Sequence, residues 1–454
     1  MISSKTIWRY TALLILAYAA ALGVSGLLRH LGEPDQYPLF SQRHLPSRAT
    51  FRVDPGRNPY GALFSSRAVY IGDFRPIYDA AAGKRRDPDY RMYRPDELKE
   101  RRAAFVYTPF AAWLVSPLVA RDYTPEEAAD ALHRFNRILW LGMGTMAFRL
   151  LARGRRVTVA LAAAFTVQYL AYFPIAKALQ LTQASVWIAF FLVAAAWLLQ
   201  RRLPVAAGLA LALGASIKPH LAAVALLLAL QSGATRRTGL AALAALSFTG
   251  LLSIAYAGIP SSLDYVFHAL PMLSGGYAYH PNQSVNGLLM RLFTSEDPAV
   301  FNLSMPVSWI KFTSTVFGLC VLALAAVTCR SAIRRRREPE LLCYALAVTA
   351  VTIASPICWT HHMTAFIAPL AIVARRILDE PRLRSPALLA TAFASAILTG
   401  AFYDARHLSG LPLGLLTGFE FYGALLLLGT LVAFSRHDNL TSEPRDRIAG
   451  AHSS

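Results

Sequence analysis

Residues 183–232 read QASVWIAFFLVAAAWLLQRRLPVAAGLALALGASIKPHLAAVALLLALQS, and this stretch decides the fold class. The pair Arg201-Arg202 and the pair Lys218-Pro219 divide it into three apolar runs, 183–200, 203–217 and 220–232. A helix needs roughly 20 mostly apolar residues to cross a bilayer. The first run approaches that length and the other two are shorter. The stretch therefore predicts successive membrane helices with very short connections.

The composition of the whole chain supports a membrane protein. Its 454 residues are 55% hydrophobic and only 16% charged, with a mean hydropathy of +0.40. An ordinary soluble domain carries about 25% charged residues, so a soluble enzyme, a disordered chain, a collagen and a coiled coil are all excluded. The net charge of +19 could suggest nucleic acid, but basic residues also gather at the cytoplasmic ends of membrane spans. We expect no nucleic-acid partner.

About twelve apolar segments are predicted to span the membrane. The first, Trp8–Leu28, could also be a signal peptide, and both interpretations export the loop that comes after it. The other segments are 130–151, 157–174, 183–200, 203–217, 220–232, 239–257, 306–329, 340–357, 361–374, 385–403 and 412–434.

Short basic clusters predict the orientation. With the N-terminus inside, every such cluster falls on the cytoplasmic side, as the positive-inside rule requires. The clusters lie at 153–156, 201–202, 236–237, 330–337 and 375–384. Segment 105–120 would invert this pattern as a full span, so it is predicted to be an interfacial helix.

This scheme predicts one membrane domain over residues 1–435. It has two long outer loops, 29–129 and 258–305, and a polar cytoplasmic tail, 436–454. Loops of this length without spans of their own are usually functional.

The polar residues least easily explained by solvation all fall on the outer side. Their gathering predicts one site at the outer membrane surface. They include Asp73, Tyr107, Lys177, Gln180, Gln183, Lys218, His220, Asn282, Gln283, Arg291, His361 and His362.

Each of these residues has an alternative interpretation. Lys218 could extend its amine to the interface. The tandem His361-His362 could bind a metal, but no partner stands nearby at ligand spacing, so we expect no metal and no cofactor. Asn282-Gln283-Ser284 fits a glycosylation acceptor as well as a polar substrate contact. From the residues alone, Asp73 cannot be ranked above Asp54, Asp79, Asp87 or Asp89.

This combination suits sugar transfer from a lipid phosphate. Fixed Lys, Arg and His donors stabilise the charge of a departing phosphate. A carboxylate on the opposite side accepts the proton of the attacking hydroxyl. No glycine-rich nucleotide motif is visible, so a nucleotide sugar on the cytoplasmic side has no support.

At these residues the sequence resembles glycosyltransferase family 87, integral-membrane enzymes of the GT-C fold. Single motifs are weak, but their order along one chain is fairly specific. The resemblance rests on Asp73-Phe74, Tyr78, Tyr93, Tyr107-Thr-Pro-Phe, Gln183, Ile217-Lys218-Pro219, Asn282-Gln283-Ser284, Arg291 and the segment Ser355–His362.

The resemblance implies roles for particular residues. It selects Asp73 as the catalytic base and places Lys218, Arg291 and His361 or His362 around the lipid phosphate. It implies an inverting transfer of a sugar, most often mannose, from a polyprenyl-phosphate donor to a glycolipid or polysaccharide of the cell envelope. The reaction would take place at the outer face of the cytoplasmic membrane. Thr182 and Thr108 depart from the residues frequent in the family, which leaves the donor sugar open.

Two other classes of protein remain as alternatives. A transporter or flippase for a lipid-linked sugar would also have about twelve spans, but its charged residues should lie near the bilayer midplane. A catalytically silent scaffold is the other alternative. Replacing Asp73 by Asn should abolish an enzyme and leave transport or scaffolding largely intact.

Overall fold

The computed structural model describes residues 4–32, 59–93, 105–300, 307–335, 339–405, 408 and 410–437. Within these ranges the chain is helical, and the only β-type pairing is an isolated bridge between Asn282 and Trp359. Asp54 and most of the predicted tail lie outside the described residues.

The helices are numbered in chain order. The first ten are α1 (Ser4–Gly32), α2 (Arg75–Arg86), α3 (Pro109–Ala120), α4 (Pro125–Ala152), α5 (Val159–Ala171), α6 (Phe173–Gln180), α7 (Ser185–Gln200), α8 (Pro204–Ile217), α9 (Ala222–Ala229) and α10 (Gly233–Ala257). The next eight are α11 (Ile259–Asp264), α12 (Leu270–Leu273), α13 (Val285–Phe293), α14 (Ser308–Arg335), α15 (Pro339–Ala354), α16 (Ile367–Asp379), α17 (Pro386–Gly400) and α18 (Phe419–His437). Short 3₁₀ turns lie at Pro59–Leu63, Pro219–Leu221, Thr360–Phe366, Pro381–Leu383 and Leu413–Gly418, and a π turn lies at Tyr265–Ala269.

Local sequence signals fix where several helices begin. α4 starts with a capping box, in which the Thr124 hydroxyl accepts from the backbone N–H of Glu127 and the Glu127 carboxylate accepts from that of Thr124. Proline occupies the first position of α3, α4 and α8, where its missing N–H costs no hydrogen bond. These signals make the helix starts readable from the sequence.

The long apolar helices identify a membrane protein. Among the residues that the structure describes, four helices are long and apolar enough to cross a bilayer: Thr6–Ser25, Gly233–Ala257, Ser308–Arg334 and Leu413–Arg436. A bent pair, α5 with α6, passes the same test with a bend of 46°. Every predicted apolar segment contains an α-helix. The all-helical membrane class is therefore confirmed over the described residues, while the count of about twelve spans and the GT-C fold stay predictions.

Helices α8 and α9 form a hairpin that packs along α10. Gly208 of α8 lies against Thr238 and Ala242 of α10, and Gly239 of α10 lies against Ala225 and Ala229 of α9. A Cβ on either glycine would stand within 2.5 Å of backbone atoms, so the small residues permit the close approach.

The tip of this hairpin is recessed. The Ser216 hydroxyl, near the end of α8, lies 2.6 Å from the Thr249 hydroxyl of α10. α10 continues eight residues past Thr249 to Ala257, which is about 12 Å of helix. Lys218 at the hairpin tip therefore lies below the end of α10.

The described part of the first predicted outer loop contacts the hairpin near its tip. α2 packs against α3, and the Arg85 guanidinium bonds the Val119 carbonyl oxygen and the Asp122 carboxylate. The Thr108 hydroxyl, just before α3, donates to the carbonyl oxygen of Ser216. These contacts fasten the loop helices to the hairpin that carries Lys218.

Candidate active site

Asp73 lies in a tight turn just before α2. The backbone N–H groups of Phe74 and Arg75 both donate to the Ile71 carbonyl oxygen, at 3.0 and 2.7 Å. The Phe74 ring is fully buried and anchors the turn. The carboxylate of Asp73 is thus held at the N-terminal end of α2, where the sequence alone could not distinguish it from its neighbouring aspartates.

Gln183 connects Asp73 to Tyr107. Its side-chain N–H donates to the Asp73 carboxylate, and its side-chain oxygen accepts from the Tyr107 hydroxyl at 2.7 Å. Gln183 and Tyr107 are buried, with 5% and 9% of their surfaces exposed. Because both polar ends of the Gln183 amide are engaged, the amide fixes the direction of the carboxylate.

The environment of Asp73 changes its acidity. Burial raises the pKa of its carboxyl above the usual range, while the hydrogen bond from Gln183 and the positive charges of Lys177 and Lys218 act in the opposite direction. A carboxylate with a raised pKa is a better proton acceptor than one in water. Asp73 therefore has the properties that a general base needs.

Lys218 brings its amine close to the ring of Tyr107. Its amine lies 5.9 Å from the centre of the Tyr107 ring, a distance at which a cation is attracted to the ring face. The same amine bonds Nε2 of His362. Tyr107 thus contacts the Lys218 amine through its ring and, through its hydroxyl, Gln183, which bonds the Asp73 carboxylate.

The histidine pair lies next to this amine. The rings of His361 and His362 are 4.7 Å apart, and the ring of His220 lies 6.2 Å from that of His362. The sequence could not rank His361 against His362. The contact with Lys218 assigns His362 to the amine, while His361 is buried beside it with 8% of its surface exposed.

Lys177 belongs to the same group of charges, although the sequence analysis assigned it no role. Its amine donates to the Gln180 side-chain oxygen at 2.9 Å, and its charge acts on Asp73. The signal was present, since a lysine interrupts an otherwise apolar segment on the outer side.

Asn282, Gln283 and Arg291 lie together within the second predicted outer loop, 258–305. Arg291 and Asn282 are fully buried and Gln283 is 4% exposed. The Arg291 guanidinium donates to the Asn282 carbonyl oxygen at 2.8 Å and to the Thr417 hydroxyl at 2.7 Å. Their predicted contact with substrate remains a prediction, and the bonds present give them a supporting role.

Asn282 ties this loop to the segment that carries the histidines. Its side-chain oxygen accepts from the Cys358 N–H at 2.9 Å, and its side-chain N–H donates to the Tyr277 carbonyl oxygen at 3.1 Å. The backbone N–H of Gln283 donates to the Cys358 carbonyl oxygen at 2.6 Å. The position of His361 and His362 therefore depends on this loop.

Replacing Asn282 with Ala should destabilise the protein, because it leaves the Cys358 N–H and the Tyr277 carbonyl without their buried partner. An unsatisfied buried group costs about 1–3 kcal/mol, so the thermal unfolding midpoint in detergent should fall by several degrees. An unchanged midpoint together with a raised KM for one substrate would instead make Asn282 a substrate contact.

Glu420 is a buried carboxylate that the sequence analysis missed. It lies at the start of α18, is 6% exposed, and accepts a hydrogen bond from the Thr360 side chain. Its Oε2 atom has no hydrogen-bond partner in the described part of the chain. The charge of Arg291 acts on this carboxylate. A carboxylate within an apolar span is a functional candidate by default, and that signal could have found it.

The site is built from a carboxylate, amines and imidazoles. No group of three or more His, Cys, Asp or Glu side chains arranged to hold a metal occurs among the residues that the structure describes. The available chemistry is proton acceptance at Asp73 and stabilisation of negative charge at Lys218. These are the two functions that transfer of a sugar from a phosphate requires.

The fold and this pairing of charges are those expected of a membrane-embedded transferase. The model of glycosyltransferase family 87 matches residues 105–356, more than half of the chain. The protein belongs to glycosyltransferase family 87 and is a membrane glycosyltransferase. No curated protein and no solved structure matches it.

The family match covers only part of the site. Tyr107, Gln183, Lys218, Asn282, Gln283 and Arg291 fall inside the matched residues. Asp73, His361 and His362 fall outside them, so their assignment depends on the geometry described above and on the resemblance.

Proposed function

We propose that the protein transfers a sugar, with mannose as the expected one, from a polyprenyl-phosphate carrier to a hydroxyl of an envelope glycolipid or polysaccharide. The reaction takes place at the outer face of the cytoplasmic membrane and inverts the anomeric carbon. One observation carries the proposal: a proton-accepting carboxylate and an amine both lie close to Tyr107, the carboxylate through its hydrogen bond with Gln183 and the amine near the ring face.

Asp73 acts on the acceptor. Its carboxylate takes the proton of the acceptor hydroxyl as the hydroxyl oxygen forms a bond to the anomeric carbon. Gln183 holds the carboxylate in the orientation that this transfer needs. General-base catalysis of this kind contributes about 10²–10⁴-fold to a rate.

Lys218 acts on the donor. The bond between the anomeric carbon and the phosphate oxygen breaks, and its electron pair leaves on the phosphate. The Lys218 amine, with His362 beside it, stabilises this developing charge more strongly than water does, because the site is partly shielded from solvent. The attacking oxygen and the phosphate lie on opposite faces of the sugar, so the configuration inverts.

The reaction is tested with the full chain in proteoliposomes, supplied with radiolabelled polyprenyl-phosphate mannose and an envelope glycolipid extract. A polyprenyl-phosphate arabinofuranose donor is run in parallel. We expect label transfer with inverted anomeric configuration, determined by NMR of the product. Retained configuration would contradict the mechanism. No transfer from either donor, accompanied by movement of the labelled lipid between leaflets, would favour a flippase.

The pH dependence follows from the acidity of Asp73. The base must be deprotonated, so kcat/KM should fall as the pH falls through its pKa. Because burial raises that pKa, the acid limb should lie above the value of about 3.9 typical of an exposed aspartate. A pH–rate profile measured in proteoliposomes checks this.

The Lys177→Met variant tests whether the acid limb of the pH–rate profile belongs to Asp73. Removing this charge removes an influence that lowers the pKa of Asp73, so the acid limb should move to higher pH. Lys311→Met, which removes an exposed amine on α14, serves as the matched control and should leave the limb in place. Equal shifts in both variants, or none in Lys177→Met, would assign the limb to another group.

A further inference from the structure

A cavity of about 480 Å³ lies at the end of the helices opposite to Lys218. It is lined by Arg202 before α8, Leu341 of α15, and Ile372, Arg375 and Arg376 of α16. We call it the arginine cavity. α8 separates Arg202 from Lys218 by 14 residues, or about 21 Å, so this cavity is distinct from the candidate active site.

Positive charge exceeds negative charge around the arginine cavity. Two carboxylates, Asp379 and Glu380, complete its lining. Asp379 pairs with Arg375 at 3.2 Å and also with Arg155, and Glu380 pairs with Arg376 at 2.9 Å and with Arg382 at 3.0 Å. Each carboxylate thus pairs with two arginines, so the charged residues that the structure describes here carry a net positive charge.

Arg202 adds to this excess. It is exposed, lines the cavity, and makes no side-chain hydrogen bond or ion pair with the residues that the structure describes. Its backbone has a φ of 62°, in the left-handed region that non-glycine residues seldom adopt. Arg202 therefore brings to the cavity a guanidinium group that forms no ion pair with a described carboxylate.

The apolar part of the lining and the place of the cavity at the helix ends indicate what kind of anion fits it. Leu341 and Ile372 are only 5% and 2% exposed, so apolar groups lie beside the guanidinium groups. The cavity lies at the ends of apolar helices, α8 and α15, on the side where the arginine clusters predict the cytoplasmic headgroup layer. Basic pockets between membrane helices on that side bind anionic lipid headgroups.

We propose that the arginine cavity binds the phosphodiester headgroup of an anionic phospholipid, with Arg202 as the principal free cation. The starts of α8 and α15, at Pro204 and Pro339, direct the positive ends of their dipoles to the same region, which favours an anion. The proposal is independent of the sugar transfer proposed above.

The test uses the purified full chain in detergent and native mass spectrometry. It is titrated with dioleoylphosphatidylglycerol, with dioleoylphosphatidylcholine, and with inorganic phosphate as a competitor. We expect tighter binding of the phosphatidylglycerol than of the phosphatidylcholine. Arg202→Gln should weaken phosphatidylglycerol binding about fivefold, the effect of one basic residue near a lipid surface.

Arg201→Gln is the matched control. It removes the same charge one residue away, but Arg201 lies over the Trp197 ring, 5.7 Å from its centre, and does not line the cavity. The affinity of the Arg201→Gln variant for phosphatidylglycerol should change less than about twofold. Equal losses in both variants, or equal binding of the two lipids, would overturn the proposal. Displacement of phosphatidylglycerol by an equal concentration of inorganic phosphate would overturn it in favour of a soluble anion.

Discussion

Asp73→Asn is expected to lower kcat for sugar transfer at least about 100-fold, the lower bound for losing a general base. The asparagine keeps the shape of the side chain, and its oxygen can still accept from Gln183 as the carboxylate does. It cannot take the proton of the acceptor hydroxyl. The rate is measured in proteoliposomes with labelled donor at saturating concentration.

Asp79→Asn is the matched control for this prediction. Asp79 lies six residues further along, within α2, and pairs with Arg75 at 2.9 Å while 47% of its side chain stays exposed. Exposed pairs of this kind contribute little, so its rate should stay within about twofold of wild type. Full activity in Asp73→Asn would remove Asp73 from the mechanism. Equal losses in both variants would indicate that α2 had been disturbed.

Lys218→Met is expected to lower kcat/KM about 100-fold, the usual loss when one fixed donor to a developing anion is removed. Methionine fills similar space but carries no charge, so the phosphate loses the amine that His362 holds in place. The loss should appear with donors of any sugar, because the phosphate is common to them. Steady-state kinetics with two donors measures it.

Lys311→Met again removes an exposed amine, on α14, and should leave kcat/KM within about twofold. A Lys218→Met enzyme with unchanged kcat/KM would contradict the assignment of the phosphate to this amine. A variant that misfolds would be recognised by a lowered unfolding midpoint, and Lys218→Arg, which keeps the charge, should then recover part of the activity.

The sequence selects individual residues by their type and by their place beside apolar runs, and their roles stay predictions. Asp73, Gln183, Tyr107, Lys218 and His362 were selected, and the structure brings them together. Lysines and histidines are rare within apolar membrane segments and often mark functional sites there. This rarity is the reason that the sequence singles them out.

The hydrogen-bond partners of these side chains could not be predicted from the sequence, because they depend on packing between distant segments. Arg291 was selected as a phosphate ligand, yet its guanidinium bonds Asn282 and Thr417. Arginine serves a buried carbonyl and a phosphate equally well, so the residue type alone cannot decide between them. Gln183 and Tyr107 were selected individually, but nothing in the sequence indicated that one amide would join the base to the ring.

The number of helices that cross the membrane also could not be predicted from the sequence. Apolar length predicts helices well, and every predicted segment contains one. Several are short, such as α8 with 14 residues and α9 with 8, and a helix of 14 residues covers only about 21 Å of a hydrocarbon core of about 30 Å. Whether such helices cross depends on what covers their ends.

The central claim is that Asp73 performs the chemical step on a donor held by Lys218, and single-turnover transfer tests it most directly. Wild type and Asp73→Asn are each preloaded with labelled polyprenyl-phosphate mannose, bound donor is counted, and acceptor is then added. We expect equal donor loading within about twofold and transfer by the wild type at a rate at least about 100-fold above that of the variant. Equal transfer rates from equally loaded proteins would contradict it.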